Sequence, residues 1–388
     1  MTGSLQVKNE KYYLVLNTYE NGKRRQKWIS TDLPQRGNKR RAEQMLRDAL
    51  ASYEKHVSIP RSDALFSDYI AQWLRSVRRK VDEVTYQGYE TLATTHVIPY
   101  FQKTSLKLTD VKTEDLQRYF DEKAEHGRKD GKGGLSPRSL KLHRNILSQA
   151  LKAAVKDGLI LMNPCEYVVL PPSVRYEAGY YTAEQLQRLF DATRDDPLCL
   201  LIRITAIYGL RRSEVLGIKW DSIDYDAGRL TIRHTVVKVT ETVAKDKTKN
   251  ASSFRSFPLV PEACAIFDRA KAEQTENRKL FGAEYIQSDY VFTWPDGRPF
   301  SPDYVSHHFS DVLKKNGLPH IRFHELRHSC ASLLLNQGFN LKDVQEWMGH
   351  ADIKMTANIY GHLDVARKQQ MADRLSGMLG NPTVLENC

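Results

Sequence analysis

The 388-residue chain has no run of 18 or more apolar residues, and its opening, MTGSLQVKNEKYY, lacks the apolar core of a secretory signal. Neither a membrane-spanning helix nor a secretory leader is expected, so the cytoplasm is the expected location and no membrane partner is called for. Cysteine is sparse. Cys165, Cys199, Cys264, Cys330 and Cys388 are odd in number, far apart and without a CxxC pair, which argues against a disulfide framework and a cysteine zinc site. There is no internal repeat and no low-complexity tract. Acidic residues are in the minority, 47 against 58 Lys and Arg, leaving a net charge of +11. That excess points to a polyanionic partner. With 41% hydrophobic and 27% charged residues, the chain has enough apolar material for real cores, and its length suits two or three domains.

Residues 1–60 hold twelve Lys and Arg against six Asp and Glu. Short alternating runs (Leu5 and Val7; Tyr13, Val15 and Leu16; Trp28 and Ile29) predict three strands, with Asn21-Gly22 as a two-residue hairpin turn. A helix is expected from Lys39 to about His56, its apolar face on Ala42, Met45, Leu46 and Leu50. A small basic sheet of this kind fits a DNA major groove, which admits a two-stranded ribbon; Lys23, Arg24, Arg25 and Lys27 are the candidate contacts. The competing reading is a small α/β module with incidental charge.

Ser58-Ile-Pro60 reads as a linker. Helical spacing then runs from Phe66 to about Tyr167, through Tyr69, Ile70, Trp73, Leu74 and Val77, then Leu116, Tyr119 and Phe120, then Leu140, Ile146, Leu147, Leu151 and Val155. A four- or five-helix bundle with basic edges is expected, with Arg138, Lys141 and Arg144 as further candidate DNA contacts. Leu170-Pro-Pro-Ser marks the next boundary. Beyond it Thr182-Ala-Glu-Gln185 is a capping-box start to a mainly helical domain that runs to about Gly380. That domain is interrupted by β-like stretches around Arg229–Val239 and Arg255–Leu259. The expected fold is therefore multidomain and mainly α: a three-stranded sheet plus helix, a helical bundle, and a mixed, mostly helical domain with a small sheet. The boundaries fall at 1–58, 63–168 and 177–388.

The last domain holds the chemistry. Tyr208-Gly-Leu-Arg211-Arg-Ser-Glu214 places Arg211 after an apolar segment and a glycine, at a helix start where an anion also meets the helix N-terminus. The plain alternative is a surface ion pair with Glu214 at i, i+3. Further on, Phe323-His324-Glu325-Leu326-Arg327-His328 opens an apolar helix. Met348-Gly349-His350 follows, with Gly349 a helix cap that fixes His350, and Asn358-Ile-Tyr360-Gly-His comes ten residues later. Taken singly, each has a structural explanation. His324 and His328 also fit the H-E-x-x-H zinc-peptidase pattern, with Glu325 as base and Glu346 as a third ligand. Arg327 would set a fixed cation beside such a metal, and a peptidase explains neither the basic N-terminal module nor Tyr360.

In order, Arg211, Lys249, His324-x-x-Arg327, His350 and Tyr360 resemble the tyrosine recombinase (phage integrase) family, and look most like integrases of conjugative transposons and phages of Gram-positive bacteria. The resemblance covers the whole chain and implies an arm-type DNA-binding domain, a core-binding SAM-like domain and a catalytic domain with a C-terminal tail. It rests on G-L-R-x-S-E at 209–214, H-E-L-R-H at 324–328, G-H at 349–350 and I-Y-G-H at 359–362. Lys245, Lys247 and Lys249 share one turn. Lys249 is chosen because the run to Arg255-Ser-Phe-Pro258 resembles the family's lysine hairpin, and Lys247 stays open beside it.

The implied reaction is cleavage and rejoining of DNA through a 3′-phosphotyrosine and a Holliday junction, integrating or excising a mobile element, with neither metal, ATP nor any other cofactor. Attack on a phosphodiester builds charge on its nonbridging oxygens, which two guanidinium forks, Arg211 and Arg327, can take up. Glu214 supports. The Tyr360 hydroxyl, pKa about 10, must lose its proton as it attacks, and His324 can accept it. His350 can hydrogen-bond the phosphate or the nucleophile, and Lys249 can protonate the leaving 5′ oxygen. The implied partners are double-stranded attachment sites, a homotetramer on DNA, and the excisionase and DNA-bending host factor that arm-binding integrases usually have. An amphipathic tail, with Val365, Met371, Leu375 and Leu379 on one face, is expected to dock on a neighbouring subunit or on its own domain. A type IB topoisomerase and a DNA-binding regulator with a vestigial site are the rival readings.

Overall fold

The computed structural model describes residues 2–20, 23–55, 63–173, 178–238, 242–245, 254–360, 372–373 and 375–376; of the side chains at 18–20, 23–25, 51–55, 237–238, 242–245 and 358–360 nothing is described. The chain divides into two compact units, Met1–Arg175 and Tyr176–Cys388.

The first unit opens with antiparallel strands β1 (Thr2–Lys8), β2 (Lys11–Glu20) and β3 (Lys23–Pro34), backed by helix α1 (Lys39–Lys55). Alternation on β2 turns Tyr12, Leu14 and Leu16 toward Ala42, Met45 and Ala49 of α1. The pair Glu20↔Lys23 brackets the expected Asn21-Gly22 turn, which lies outside the described residues. The first hairpin turns through Asn9 and Glu10, both at positive φ, 50° and 59°. No Asn-Gly signal marks it.

Five helices form the bundle: α2 (Phe66–Val77), α3 (Glu83–Leu92), α4 (Ile98–Thr104), α5 (Thr113–His126) and α6 (Pro137–Lys156). Their apolar stripes meet in one core that includes Phe66, Trp73, Phe101, Leu116, Phe120, Leu147 and Leu151. A buried polar pair sits inside it, where the Tyr119 hydroxyl meets His143 Nδ1 at 2.6 Å. Ser136 caps α6 by accepting from the Ser139 N–H, with Pro137 in the first turn.

The second unit begins with α7 (Ala183–Ala192), started by the Thr182–Gln185 capping box, and α8 (Cys199–Tyr208). Next come a single turn, α9 (Arg212–Val215), then β4 (Ile223–Asp224), β5 (Arg229–Ile232), β6 (Thr235–Lys238), β7 (Thr242–Lys245) and β8 (Arg255–Pro258). Strands β4, β5 and β8 form one sheet in that order, and β6 pairs with β7. Helices α10 (Pro261–Phe281), α11 (Pro302–Lys315), α12 (Glu325–Asn336), α13 (Leu341–Met348) and α14 (Ile353–Tyr360) complete it. α8 is apolar on nearly every face and is buried, with α10 and α12 against it. The helix expected to run on from Arg211 stops after one turn. Just beyond it Gly217 permits a close approach of backbone, since a Cβ there would lie 2.4 Å from the His234 carbonyl oxygen, beside the start of β6.

Gly209 ends α8 at φ 62°, in the left-handed region. A Cβ there would stand 2.5 Å from Met348 Cε and 2.8 Å from Met348 Sδ, whereas Gly228, at φ 59°, has open space around it. Gly228→Ala should therefore cost only the backbone term, about 1 kcal/mol, and Gly209→Ala about 2–3 kcal/mol because crowding adds to it. Thermal denaturation checks this; equal losses for the two variants would contradict it.

Candidate active site

The C-terminal end of α13 organises the site. Helix ends leave carbonyls without an intrahelical partner and carry the negative end of the helix dipole. Here three successive carbonyls each receive a different arginine. Trp347 O accepts from Arg255 Nε at 3.2 Å, Met348 O from Arg327 Nη2 at 2.5 Å, and Gly349 O from Arg211 Nη2 at 3.0 Å. Gly349 makes the turn possible at φ 62°, ψ 48°, and His350 follows directly. Arg327 also donates Nη1 to Gly209 O at 2.7 Å, so the chain just before Arg211 is tied to the same centre.

Glu214 is the anion of the cluster and is 1% exposed. It accepts from Arg211 Nη1 at 2.6 Å and from the Arg211 backbone N–H at 2.9 Å. The pair at i, i+3 is thus real, but it is a buried anchor rather than a surface contact. Burial pushes the Glu214 pKa up. Hydrogen bonding and charge from Arg255, then the charge of Arg211, outweigh it and hold the carboxyl at about 2. Arg211 keeps 27% of its side chain exposed. Arg327 lies beneath at 1%, and burial lowers its pKa, with the Arg211 charge adding to the effect. Its fork is less open to a ligand than the residue type alone suggests.

The histidines sit around this cluster. His350 is buried; its Nδ1 meets Thr356 Oγ1 of α14 at 2.9 Å, and its backbone N–H donates to Gln345 O. Burial, then the charges of Arg327 and Arg211, depress its pKa to about 3. The His324 imidazole reaches the surface above a dense floor. Lost hydration, then His328, Arg327 and Arg211, lower its pKa to about 4. His324 and His328 pack edge to face at 5.5 Å. Both His324 and His350 are neutral at neutral pH, as a proton acceptor must be. The zinc-peptidase reading needs Glu325 free as a base. Its carboxylate is instead turned fully inward, accepting from the Arg322 guanidinium at 2.8 and 3.1 Å and from the Arg322 N–H at 2.6 Å. Glu346 pairs on the surface with Lys342 at 3.2 Å.

The structure thus brings together Arg211, Glu214, His324, Arg327 and His350. Tyr360 is the last residue of α14, four positions after Thr356 on the same helix; its side chain lies outside the described residues. So do Lys247 and Lys249, the side chain of Lys245, and the side chains of Lys23, Arg24 and Arg25. Lys27, Arg138 and Lys141 are exposed, while Arg144 is half-buried and donates to the Glu166 carbonyl at 3.2 Å. Of the tail face, Val365, Met371 and Leu379 lie outside the described residues, and Leu375 is 55% exposed. Sequence reasoning missed two site residues. Arg255 stood in plain view as the end of the lysine-hairpin motif but was given no role. Thr356 carried no signal beyond its i, i+4 spacing from Tyr360.

Comparison with known proteins places this geometry. Residues 180–367 match the model of the phage integrase family, and residues 65–124 match its N-terminal SAM-like domain. The chain belongs to the phage integrase family. It is a tyrosine recombinase, an enzyme of DNA breakage and rejoining. A XerC-like tyrosine recombinase of Caldanaerobacter subterraneus subsp. tengcongensis is 27% identical over 96% of this chain and 98% of its own. The ICEBs1 integrase of Bacillus subtilis is 26% identical over 76% of this chain and 78% of its own. Among solved structures, the Tn1549 transposon integrase in complex with transposon right-end DNA shares the fold. Its TM-score is 0.65 at 23% identity, covering 81% of this recombinase and all of that chain.

The depressed histidine pKa values couple stability to pH. Unfolded, His350 takes a proton near pH 6.5; folded, it resists until about pH 3. Its contribution is therefore full above pH 6.5 and is lost as pH falls toward 3, by about 2 kcal/mol at pH 5. His350→Gln should lose less stability than the native protein between pH 7 and pH 5, read as the fall in Tm. Equal falls would contradict this.

Proposed function

We propose that the chain is a site-specific integrase that cleaves one strand with Tyr360, holds the 3′ phosphate on it, and passes the strand to a second duplex through a Holliday junction. The observation that carries this is the arginine cluster on the end of α13, joined through His350 and Thr356 to the helix that ends at Tyr360. Arg211 offers the accessible fork to a nonbridging oxygen, and Arg327 adds positive potential from below. His350, neutral and buried, hydrogen-bonds the phosphate or the tyrosine. His324, neutral at the surface, takes the phenolic proton. Lys249 protonates the departing 5′ oxygen, so the free strand leaves as a hydroxyl and the phosphotyrosine retains the bond's energy for rejoining.

Residues 1–58 are the arm-binding module and 63–168 the core-binding module, ahead of a catalytic domain at 177–388. Lys23, Arg24, Arg25 and Lys27, with Arg138 and Lys141, contact the duplex in this reading. Arg144 is the weaker candidate, because its guanidinium already serves a carbonyl. Four protomers hold two attachment sites, with the tail of each docked on a neighbour. An excisionase and a DNA-bending host factor complete the assembly, which acts in the cytoplasm on the DNA of a mobile element.

A nicked suicide duplex carrying the attachment sequence, incubated in EDTA, should trap a covalent adduct that Tyr360→Phe abolishes. A requirement for zinc would overturn the reading in favour of metal chemistry, and relaxation of supercoils without pairing of two sites would favour a topoisomerase. Arg211→Lys should lower cleavage at least about 100-fold with DNA binding retained, because an ammonium cannot reproduce the planar fork. Normal cleavage by that variant would remove Arg211 from the site.

A further inference from the structure

Arg255 opens β8 directly beyond the segment that carries Lys249, and only 9% of its side chain is exposed. Every part of its guanidinium is engaged around the site. Nη1 donates to Glu214 Oε1 at 3.2 Å, Nη2 to Glu214 Oε2 at 3.0 Å, and Nε to the Trp347 carbonyl at 3.2 Å. Its planar face lies over Phe257, 5.1 Å from the ring centroid, and Phe257 packs edge to face on Trp347 at 5.0 Å. Each oxygen of Glu214 is therefore shared, one bond coming from Arg211 and one from Arg255.

The charge arithmetic gives that sharing a consequence. One carboxylate between two guanidiniums leaves a net positive charge, so Glu214 can hold Arg211 in place without cancelling it. Remove Arg255 and the buried remainder is a neutral Glu214–Arg211 pair, with the carboxylate's attraction drawn onto Arg211 alone. The fork would keep its charge, but that charge would be cancelled by the carboxylate, and the fork would be pulled toward it, away from a bound phosphate.

We propose that Arg255 is a positioning residue for strand cleavage, acting through Glu214 to leave the charge of the Arg211 fork uncompensated and aimed at the scissile phosphate. The inference rests on the recombinase reading of the site. Because Arg255 acts through Arg211, its loss should matter much more while a guanidinium stands at 211, which a purely structural role would not produce.

The test is a double-mutant cycle on single-turnover cleavage of the nicked duplex, with DNA affinity and Tm measured for each variant. Arg255→Met should slow the native enzyme about 30- to 100-fold, the scale of lost hydrogen bonds to a buried charge. In an Arg211→Lys background it should slow cleavage only a few-fold, and DNA affinity should be unchanged in both. Equal factors in the two backgrounds, or native rates for Arg255→Met, would overturn the proposal. Should Arg255→Met not fold, Arg255→Lys keeps a cation on the buried carboxylate and serves the same cycle. It should slow the native enzyme about tenfold and the Arg211→Lys enzyme little, and equal factors again count against the proposal. Absence of any adduct from the native protein would fail the recombinase reading itself. A native adduct with Arg255 variants that behave additively would fail this inference alone.

Discussion

Three guanidiniums in one small volume repel one another, and the catalytic unit must contain that repulsion before it can use it. It does so with two kinds of acceptor. The buried carboxylate of Glu214 compensates one charge, and the carbonyl end of α13, negative by its dipole, receives a bond from each arginine. Taking these ions out of water is costly, and truncating one partner of such a network leaves an uncompensated charge behind. The arginine cluster is therefore held by the protein's own groups, with no DNA present. Arrangement ahead of reaction is what electrostatic stabilisation of a charged transition state requires, since dipoles that need not reorganise contribute most.

That arrangement depends on a few close approaches of backbone. Gly209 lets α8 end against Met348, Gly217 lets the chain pass close beside β6, and Gly349 ends α13 so that His350 follows the arginine acceptors. The Tyr208, Phe257 and Trp347 rings pack beneath this corner, with Tyr208 and Trp347 at 6.2 Å and Tyr208 and Phe257 at 5.0 Å. Apolar support on one side and polar engagement on the other let Arg255 and Trp347 join the sheet to the helix. Thr356 extends the same network to α14, so the helix that ends at Tyr360 is hydrogen-bonded to the arginine cluster through His350.

Much of this was legible in the chain. The Thr182–Gln185 capping box, the αL glycine at 349 and the helical stripes of the bundle follow local rules, and the structure bears them out. The ordered set from Arg211 to Tyr360 carried the family, and the family model agrees. What was illegible is non-local or written in backbone. The acceptors of Arg211, Arg255 and Arg327 include main-chain carbonyls, which every residue has and no letter marks. The i, i+3 spacing of Arg211 and Glu214 gave the pair but not its burial, because burial is decided by α8, β8 and α13 arriving together. Arg255 belongs to the hairpin motif, but its role is illegible for the same reason, since its partner lies 41 positions earlier. The close approach of Gly217 to His234, just past the single turn of α9, is another contact that no local pattern announces.

The central claim is that this cluster exists to take up the charge of one scissile phosphate. Its most direct test is a duplex in which a methylphosphonate replaces that phosphate, removing the charged nonbridging oxygen while leaving the leaving group intact. Cleavage by the native protein and by Arg211→Ala should be compared on both substrates. The account predicts a large loss for Arg211→Ala on the natural phosphodiester and a much smaller one on the neutral analogue. An equal loss on both would mean that Arg211 does not act through charge on the phosphate, and the account of the site would be wrong.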